Sequence, residues 1–287
     1  MLNEKQITKL SQEYIKELVS LAIKEDICGE GYGQDITALL VNDVNTQAFC
    51  ITREDMVLCG CDFANEVIAQ IDNQIKITWH YKDCDAIKAN EKIFSLYGNA
   101  RSILTAERII LNFIQTLSAT ATSTHHLVSL ITDSNTRLLD TRKTIPAFRM
   151  AQKYAVKCGG GYNHRIGLFD AFLIKENHIR SAGGIQNAVT RANEIAKDKM
   201  VEVEVTNIDE LNQAIETKAD IVMLDNFTIE DTKKAVQIAE GKLLLEVSGN
   251  VDETTIIDIA KTGVDFVSVG AITKHIKAID LSMQIKI

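Results

Sequence analysis

The chain has 287 residues, 46% hydrophobic and 24% charged, with six cysteines, one proline and a net charge of −8. That length and balance allow a substantial buried core, which excludes a disordered or collagen-like polypeptide. The acidic total argues against a nucleic-acid partner, whose binding face is basic.

The apolar stretches stay well short of the roughly 20 residues a membrane-spanning helix needs. The opening Met1-Leu2-Asn3-Glu4-Lys5 lacks the basic-then-apolar pattern of a secretory leader. A cytoplasmic protein with no membrane partner is expected. The cysteines at 28, 50, 59, 61, 84 and 158 include no CxxC pair, and a chain of this size needs no disulfide staples, so they read as reduced thiols. Cys59 and Cys61 read as strand residues rather than metal ligands.

Leu10, Tyr14, Ile15, Leu18, Leu21 and Ala22 recur at helical spacing and predict an amphipathic first helix, followed by a Gly-rich loop at 29–33. Short apolar runs at 48–52, 56–59, 75–79 and 93–97, with one helix over 63–71, predict a small α+β domain with antiparallel strands. A long helix begins near Ser102, helical sequence continues to Ile131, and the domain junction is placed near Ser118. Apolar runs at 136–140, 171–174, 201–205, 221–224, 243–247 and 266–269 then alternate mostly with helical stretches, as buried parallel strands do. No GxGxxG follows the first of them, which disfavours a dinucleotide fold; an α/β barrel with fewer than eight strands is preferred to an open doubly wound sheet. Pro146, after Thr144, is placed to open a helix over 147–156.

Charge is unevenly spread. Between Arg137 and His178 eight Lys or Arg stand against three carboxylates, a local +5 that leaves −13 for the rest of the chain. In α/β barrels the working groups sit where strands end, because the strands fix them while the loops vary. The first strand ends in Asp140-Thr141-Arg142-Lys143, Gly159-Gly160-Gly161 leads to Asn163-His164-Arg165, and the second strand ends in Lys175-Glu176-Asn177-His178. The third carries Glu202 and Glu204, the fourth ends in Asp225-Asn226, the fifth in Glu246-Val247-Ser248-Gly249-Asn250 and the sixth in Gly270-Ala271. Cations at three successive ends and carboxylates at the next three would converge on one mouth.

Arg142, Arg165 and Lys175 suit carboxylates or phosphates, Arg in bidentate fashion and Lys as a point charge. Glu204 and Asp225 are hard oxygen donors suited to Mg²⁺, with a strand-end ion pair to the neighbouring cations as the alternative. The turns at 248–250 and 269–271 offer backbone N–H groups for a phosphate. His164 is a secondary candidate for orienting an anion, and His125-His126 reads as surface or interface. No nucleophile elbow of the GxSxG kind is present. The inventory suits a barrel enzyme that binds a small, multiply anionic substrate with Mg²⁺, and phosphoribosyl transfer makes those demands.

The stretches at 140–144, 153–161, 163–165, 173–178, 203–205, 223–227, 246–250 and 267–271 closely resemble the quinolinate phosphoribosyltransferases, and 34–37 and 107–113 resemble that family's N-terminal domain. The resemblance implies an N-terminal α+β sandwich domain (1–117), a C-terminal incomplete α/β barrel (118–275) and a last segment (276–287) returning to the N-terminal domain. It implies transfer of phosphoribosyl from phosphoribosyl pyrophosphate to quinolinate with decarboxylation, giving nicotinate mononucleotide for NAD synthesis. Carried over by motif, Arg142, His164, Arg165 and Lys175 would surround quinolinate, with Arg108 arriving from the other chain of a homodimer that could associate further. Thr141 and Lys143 belong to the same site. Glu204 and Asp225 would face the ribose and Mg²⁺; Ser248, Gly249 and Asn250 with Val269, Gly270 and Ala271 would cradle the phosphate. Lys143, Glu204 and Asp225 are the expected catalytic residues. The alternatives are a related transferase acting on another heterocyclic acid and a non-catalytic phosphoribosyl pyrophosphate sensor. Ala147 and Ala119 stand where the family commonly has Gly, each adding a methyl near an expected helix start.

Overall fold

A computed structural model describes residues 6–27 and 35–286; Cys28, the glycine loop expected at 29–33 and Gln34 lie outside the described residues. One unit of the chain combines Ile7–His125, Met150–Gly159 and His275–Ile287. Its elements begin with helix α1 (Gln12–Ile27), strands β1 (Asn45–Thr52) and β2 (Met56–Val57) and helix α2 (Cys61–Ile71). Strands β3 (Lys76–Trp79), β4 (Ala86–Ile87) and β5 (Lys92–Asn99) follow, and then most of helix α3 (Ala100–Ser129). β1 pairs antiparallel with β5, β3 with the other side of β5, and the C-terminal strand Leu281–Lys286 with β1.

Alternation along β1 buries Ala48, Cys50 and Thr52, the period of a half-buried strand. Phe63 of α2 stacks on Phe113 of α3 with ring centroids 4.7 Å apart. Ile103, Ile110, Ile114 and Leu117 of α3 are fully buried. The domain boundary expected at 117/118 falls inside this one helix. Cys59 lies in the loop before α2 and Cys61 is the first residue of α2, so neither is a strand residue. The reason is Gly60, whose left-handed φ of +114° turns the chain out of its extended run into the helix.

The other unit combines His126–Arg149 and Gly160–Lys274 with Gln6. Strand β6 (Arg137–Leu139) leads to helix α4 (Arg149–Cys158), most of which belongs to the first unit. Then come β7 (Ala171–Ile174), α5 (Glu176–Ala182), α6 (Ile185–Ile195), β8 (Met200–Val205), α7 (Ile208–Ile215) and β9 (Ile221–Asp225). The series closes with α8 (Ile229–Ala239), β10 (Leu244–Ser248), α9 (Ile256–Ala260), β11 (Phe266–Ser268) and α10 (Ala271–Lys274); the C-terminal strand Leu281–Lys286 is β12. The six strands form one parallel sheet in the order β6-β11-β10-β9-β8-β7. Burial of every residue of β11 and of Ile221–Leu224 in β9 explains their continuous apolar runs. β6 and β7 are the outer strands of an incomplete α/β barrel, with Tyr162 adding a single parallel bridge to Leu139.

Pro146 does not open a helix. It is the second residue of a turn closed by the Phe148 N–H donating to the Ile145 carbonyl at 3.1 Å, and α4 starts only at Arg149. Ala147, third in the turn, has φ +61°, the left-handed value that a type II turn requires and that glycine meets without strain. Ala119 is buried in the interior of α3. Neither methyl therefore stands at a helix start.

Candidate active site

Because β6 to β11 run parallel, their C-terminal ends share one edge of the sheet. Side chains alternate along a strand, so Glu202 and Glu204 of β8, Met223 and Asp225 of β9, and Glu246 and Ser248 of β10 face one side of the sheet; in register Glu204 is level with Met223 and Glu246, and Glu202 lies one step deeper. A cavity of about 260 Å³ opens there. Thr141, Arg142 and Lys143 line it from the end of β6, with His164 and Arg165 beside them. Lys175, Glu204, Asp225 and Ser248 also line it, as do Glu246 and Ser268.

The remaining sequence-predicted residues are placed differently. Gly249, Asn250, Val269 and Gly270 follow β10 and β11, and Ala271 is the first residue of α10; none of the five lines the cavity. Gly249 has φ +99° and is packed so that a Cβ would stand 2.2 Å from Asn226 Oδ1; at Gly270 a Cβ would stand 2.9 Å from Lys143 Cδ. These glycines let the turns close onto Asn226 and Lys143. Arg108 is exposed on α3, in the other unit, and is not a lining residue.

The cationic side is short of acceptors. Arg142 Nε is buried with no hydrogen-bond partner, and burial together with the charge of Arg142 lowers the pKa of Arg165. Two guanidiniums held side by side favour an anion between or against them, since a buried donor without an acceptor costs about 1–3 kcal/mol. Lys175 is ion-paired with Glu204. Asp225 accepts from Asn226 Nδ2 at 3.0 Å.

Below this level lies a cluster that strand periodicity could have revealed. His164 Nε2 stands 2.9 Å from Glu202 Oε2 and 3.6 Å from Glu246 Oε2, and both carboxylates are almost wholly buried. His164 Nδ1 accepts the Arg165 backbone N–H at 2.7 Å, which leaves the ring proton on Nε2 to donate to Glu202. Asp140, fully buried, accepts from the His164 N–H at 2.9 Å and from Asn163 Nδ2 at 2.7 Å, fixing the loop that carries the imidazole. Burial and then the neighbouring charge of Glu202 push Glu246 up to about 8. Glu202 and Glu246 lie two residues before Glu204 and Ser248, and that spacing was the available signal.

Glu204 and Asp225 line the same cavity, are partly exposed and present oxygen donors, which fits the one or two carboxylates Mg²⁺ takes from a protein. No helix among the described residues is long and apolar enough to cross a membrane.

Fold and cavity define an α/β-barrel protein with a cationic site for a small, multiply anionic ligand. Residues 120–284 match the C-terminal domain of quinolinate phosphoribosyl transferase and residues 35–118 match its N-terminal domain. The chain is 37% identical to the carboxylating, chloroplastic nicotinate-nucleotide pyrophosphorylase of Arabidopsis thaliana, over 94% of this chain and 82% of that one. It is 33% identical to the probable carboxylating nicotinate-nucleotide pyrophosphorylase of Bacillus subtilis, over 94% and 93%. The solved structure of the nicotinate-nucleotide pyrophosphorylase from Francisella tularensis superposes with a TM-score of 0.96 at 66% identity, covering 98% of this chain and 99% of that one. The chain belongs to the quinolinate phosphoribosyl transferase family.

Proposed function

We infer that this protein transfers the phosphoribosyl group of phosphoribosyl pyrophosphate to quinolinate and releases CO₂, forming nicotinate mononucleotide and pyrophosphate for NAD synthesis. The observation that carries this reading is the pairing of Arg142 and Arg165 in one cavity with Lys143 and Lys175, with a buried Arg142 donor lacking an acceptor. A dianionic acid supplies the acceptor that the buried Arg142 donor lacks and adds negative charge opposite the other cations. The cations hold the two carboxylates and aim the pyridine nitrogen at ribose C1. As the N–C1 bond forms, the C1–O bond to pyrophosphate breaks and its electron pair leaves with pyrophosphate, whose charge Lys143 is placed to neutralise. Glu204 and Asp225 favour the positive charge developing on the sugar. The ribosylated ring is then a cationic electron sink: the adjacent C–CO₂ bond breaks, its electron pair stays on the ring carbon, and that carbon takes up a proton. The turns at 248–250 and 269–271 receive the ribose phosphate. Mg²⁺ held by Glu204 and Asp225 would supply charge neutralisation for the pyrophosphate.

The same proposal includes a homodimer in which Arg108 of one chain serves the cavity of the other, in the cytoplasm, where reduced thiols persist. Support comes from β7, an outer strand flanked by a groove that Leu168 and Ile195 line, with Phe169 beside them; all three are about three-quarters exposed. Contiguous apolar surface of this kind marks association sites. Arg108→Ala is expected to fold and to keep the parent's molecular mass in solution while losing turnover, and mixing it with Arg142→Ala subunits is expected to restore activity. Parent-level turnover in Arg108→Ala contradicts the shared site. For the reaction itself, purified protein should release pyrophosphate only when quinolinate, phosphoribosyl pyrophosphate and Mg²⁺ are all present. Binding of the donor with no release in the complete mixture supports a sensor instead.

A further inference from the structure

A second cluster of chemically active groups lies in the antiparallel-sheet unit and takes no part in the proposed reaction. Ligand atoms of Cys59, Asp83 and Cys158 all lie within 4.8 Å of one another, and both cysteines are buried. Two thiols and a carboxylate thus meet from three separate segments: the loop before α2, the loop between β3 and β4, and the end of α4. Cys50 gives the contrast, a buried thiol in β1 that belongs to no such group and acts as a small apolar residue.

The surrounding backbone fixes each segment. The Cys84 N–H donates to the Leu58 carbonyl at 2.8 Å and the Leu58 N–H to the Asp85 carbonyl at 2.9 Å, locking the Asp83–Cys84 loop against the chain that carries Cys59. The Cys59 N–H donates to Ser118 Oγ at 3.0 Å. Asp83 Oδ1 accepts from the Gly60 and Cys61 N–H groups, both at 3.0 Å, and its Oδ2 from the Tyr154 hydroxyl at 2.9 Å. Gly159, next to Cys158, packs so closely on α3 that a Cβ would stand 2.4 Å from the Ala121 carbonyl oxygen. Cys84, next to Asp83, is exposed and held at φ +76°, so the loop that carries Asp83 reaches solvent.

We propose that Cys59, Asp83 and Cys158 form a binding site for one thiophilic divalent cation, with Zn²⁺ the best-fitting ion and the fourth coordination position left open. Tetrahedral Zn²⁺ takes thiolate sulfur at about 2.3 Å and carboxylate oxygen at about 2.0–2.2 Å, which sets neighbouring ligand atoms about 3.5–3.8 Å apart. The ligand atoms of Cys59, Asp83 and Cys158, all within 4.8 Å of one another, lie near that spacing. Two sulfurs select against Mg²⁺ and Ca²⁺, which take oxygen. The exposed side of Cys84 supplies the entry path, and the hydrogen bonds to Asp83 supply the outer support that orients a ligating carboxylate.

The test is titration of the reduced, full-length protein with Co²⁺ followed by Zn²⁺, read by absorbance. The expected result is one equivalent of Co²⁺ giving a sulfur-to-cobalt charge-transfer band that Zn²⁺ abolishes. The carboxylates of the phosphoribosyl site contain no sulfur and cannot produce this band. Cys158→Ser should abolish the band. Because Cys158 is buried, Asp83→Asn is the second variant, expected to bind Zn²⁺ at least about tenfold more weakly while keeping parent phosphoribosyl transfer. A folded protein without the band, or a band unchanged in both variants, overturns the proposal. Formation of a Cys84–Cys158 disulfide on treatment with hydrogen peroxide, in a protein whose reduced form binds neither cation, overturns it in favour of a redox pair.

Discussion

Glu204 and Glu202 are two residues apart on one strand and face the same side, yet they live under different electrostatic rules. Glu204, at the mouth of the barrel, meets the half-exposed Lys175, and each charge has one opposite partner with water nearby. Glu202 lies one level down, almost wholly buried, and shares a single imidazole with the equally buried Glu246. Glu202 Oε1 and both oxygens of Glu246 lack hydrogen-bond partners. The mouth is therefore a solvated set of charges ready to exchange partners with a substrate. The floor is buried and sets two carboxylates against one imidazole, so burial first and then the charge of Glu202 push Glu246 up to about 8. Depth, rather than residue type, separates a binding group from a group that shapes the wall behind it.

Breaking the mouth should have the largest effect. Arg142→Ala is expected to lower kcat/KM for quinolinate by about two to three orders of magnitude, the usual loss when one member of a desolvated charge pair is truncated; steady-state kinetics reads it directly. A change below about threefold would remove Arg142 from the acid-binding set.

Breaking the floor should appear as pH dependence. Glu246 has an ordinary carboxyl value of 4.5 when unfolded and about 8 when folded, so the folded state holds the proton more tightly between those values. Its contribution to stability is full below about 4.5, declines above it and is lost as pH rises through about 8. Glu246→Gln should flatten this decline, so that between pH 6 and pH 9 the parent loses on the order of a few kcal/mol more stability than the variant. Parallel denaturation profiles across that range would contradict a protonated Glu246. The smallest effect is expected from the turn that follows the cationic strand end. Ala147→Gly should raise stability by about 0.5–1 kcal/mol by relieving a left-handed alanine, measurable as a rise in Tm with unchanged kinetics.

The barrel strands were legible because they are short, mostly apolar and largely buried runs, and the mouth was legible because most of its charges sit where those runs stop. Arg142, Lys143, Arg165, Lys175, Glu204 and Asp225 accordingly meet in one cavity. Pro146 was misleading because proline suits both the first turn of a helix and the second position of a reverse turn, and only the backbone of Ala147 decides between them. Glu202 and Glu246 carried no role in the sequence because a charge inside a strand reads as alternation until the fold sets both carboxylates against His164. The grouping of Cys59 with Asp83 and Cys158 was hidden for a related reason: ligand spacing rules look for near neighbours, and here the fold alone brings the segments together.

The central claim is that the paired guanidiniums select a dianionic pyridine acid. Product analysis of parallel reactions containing phosphoribosyl pyrophosphate, Mg²⁺ and either quinolinate or nicotinate tests it most directly. Nicotinate mononucleotide and CO₂ in equal amounts from quinolinate, with no nucleotide from nicotinate, is the predicted result. Nucleotide formed as readily from nicotinate, or donor binding with no product from either acid, would contradict the assignment.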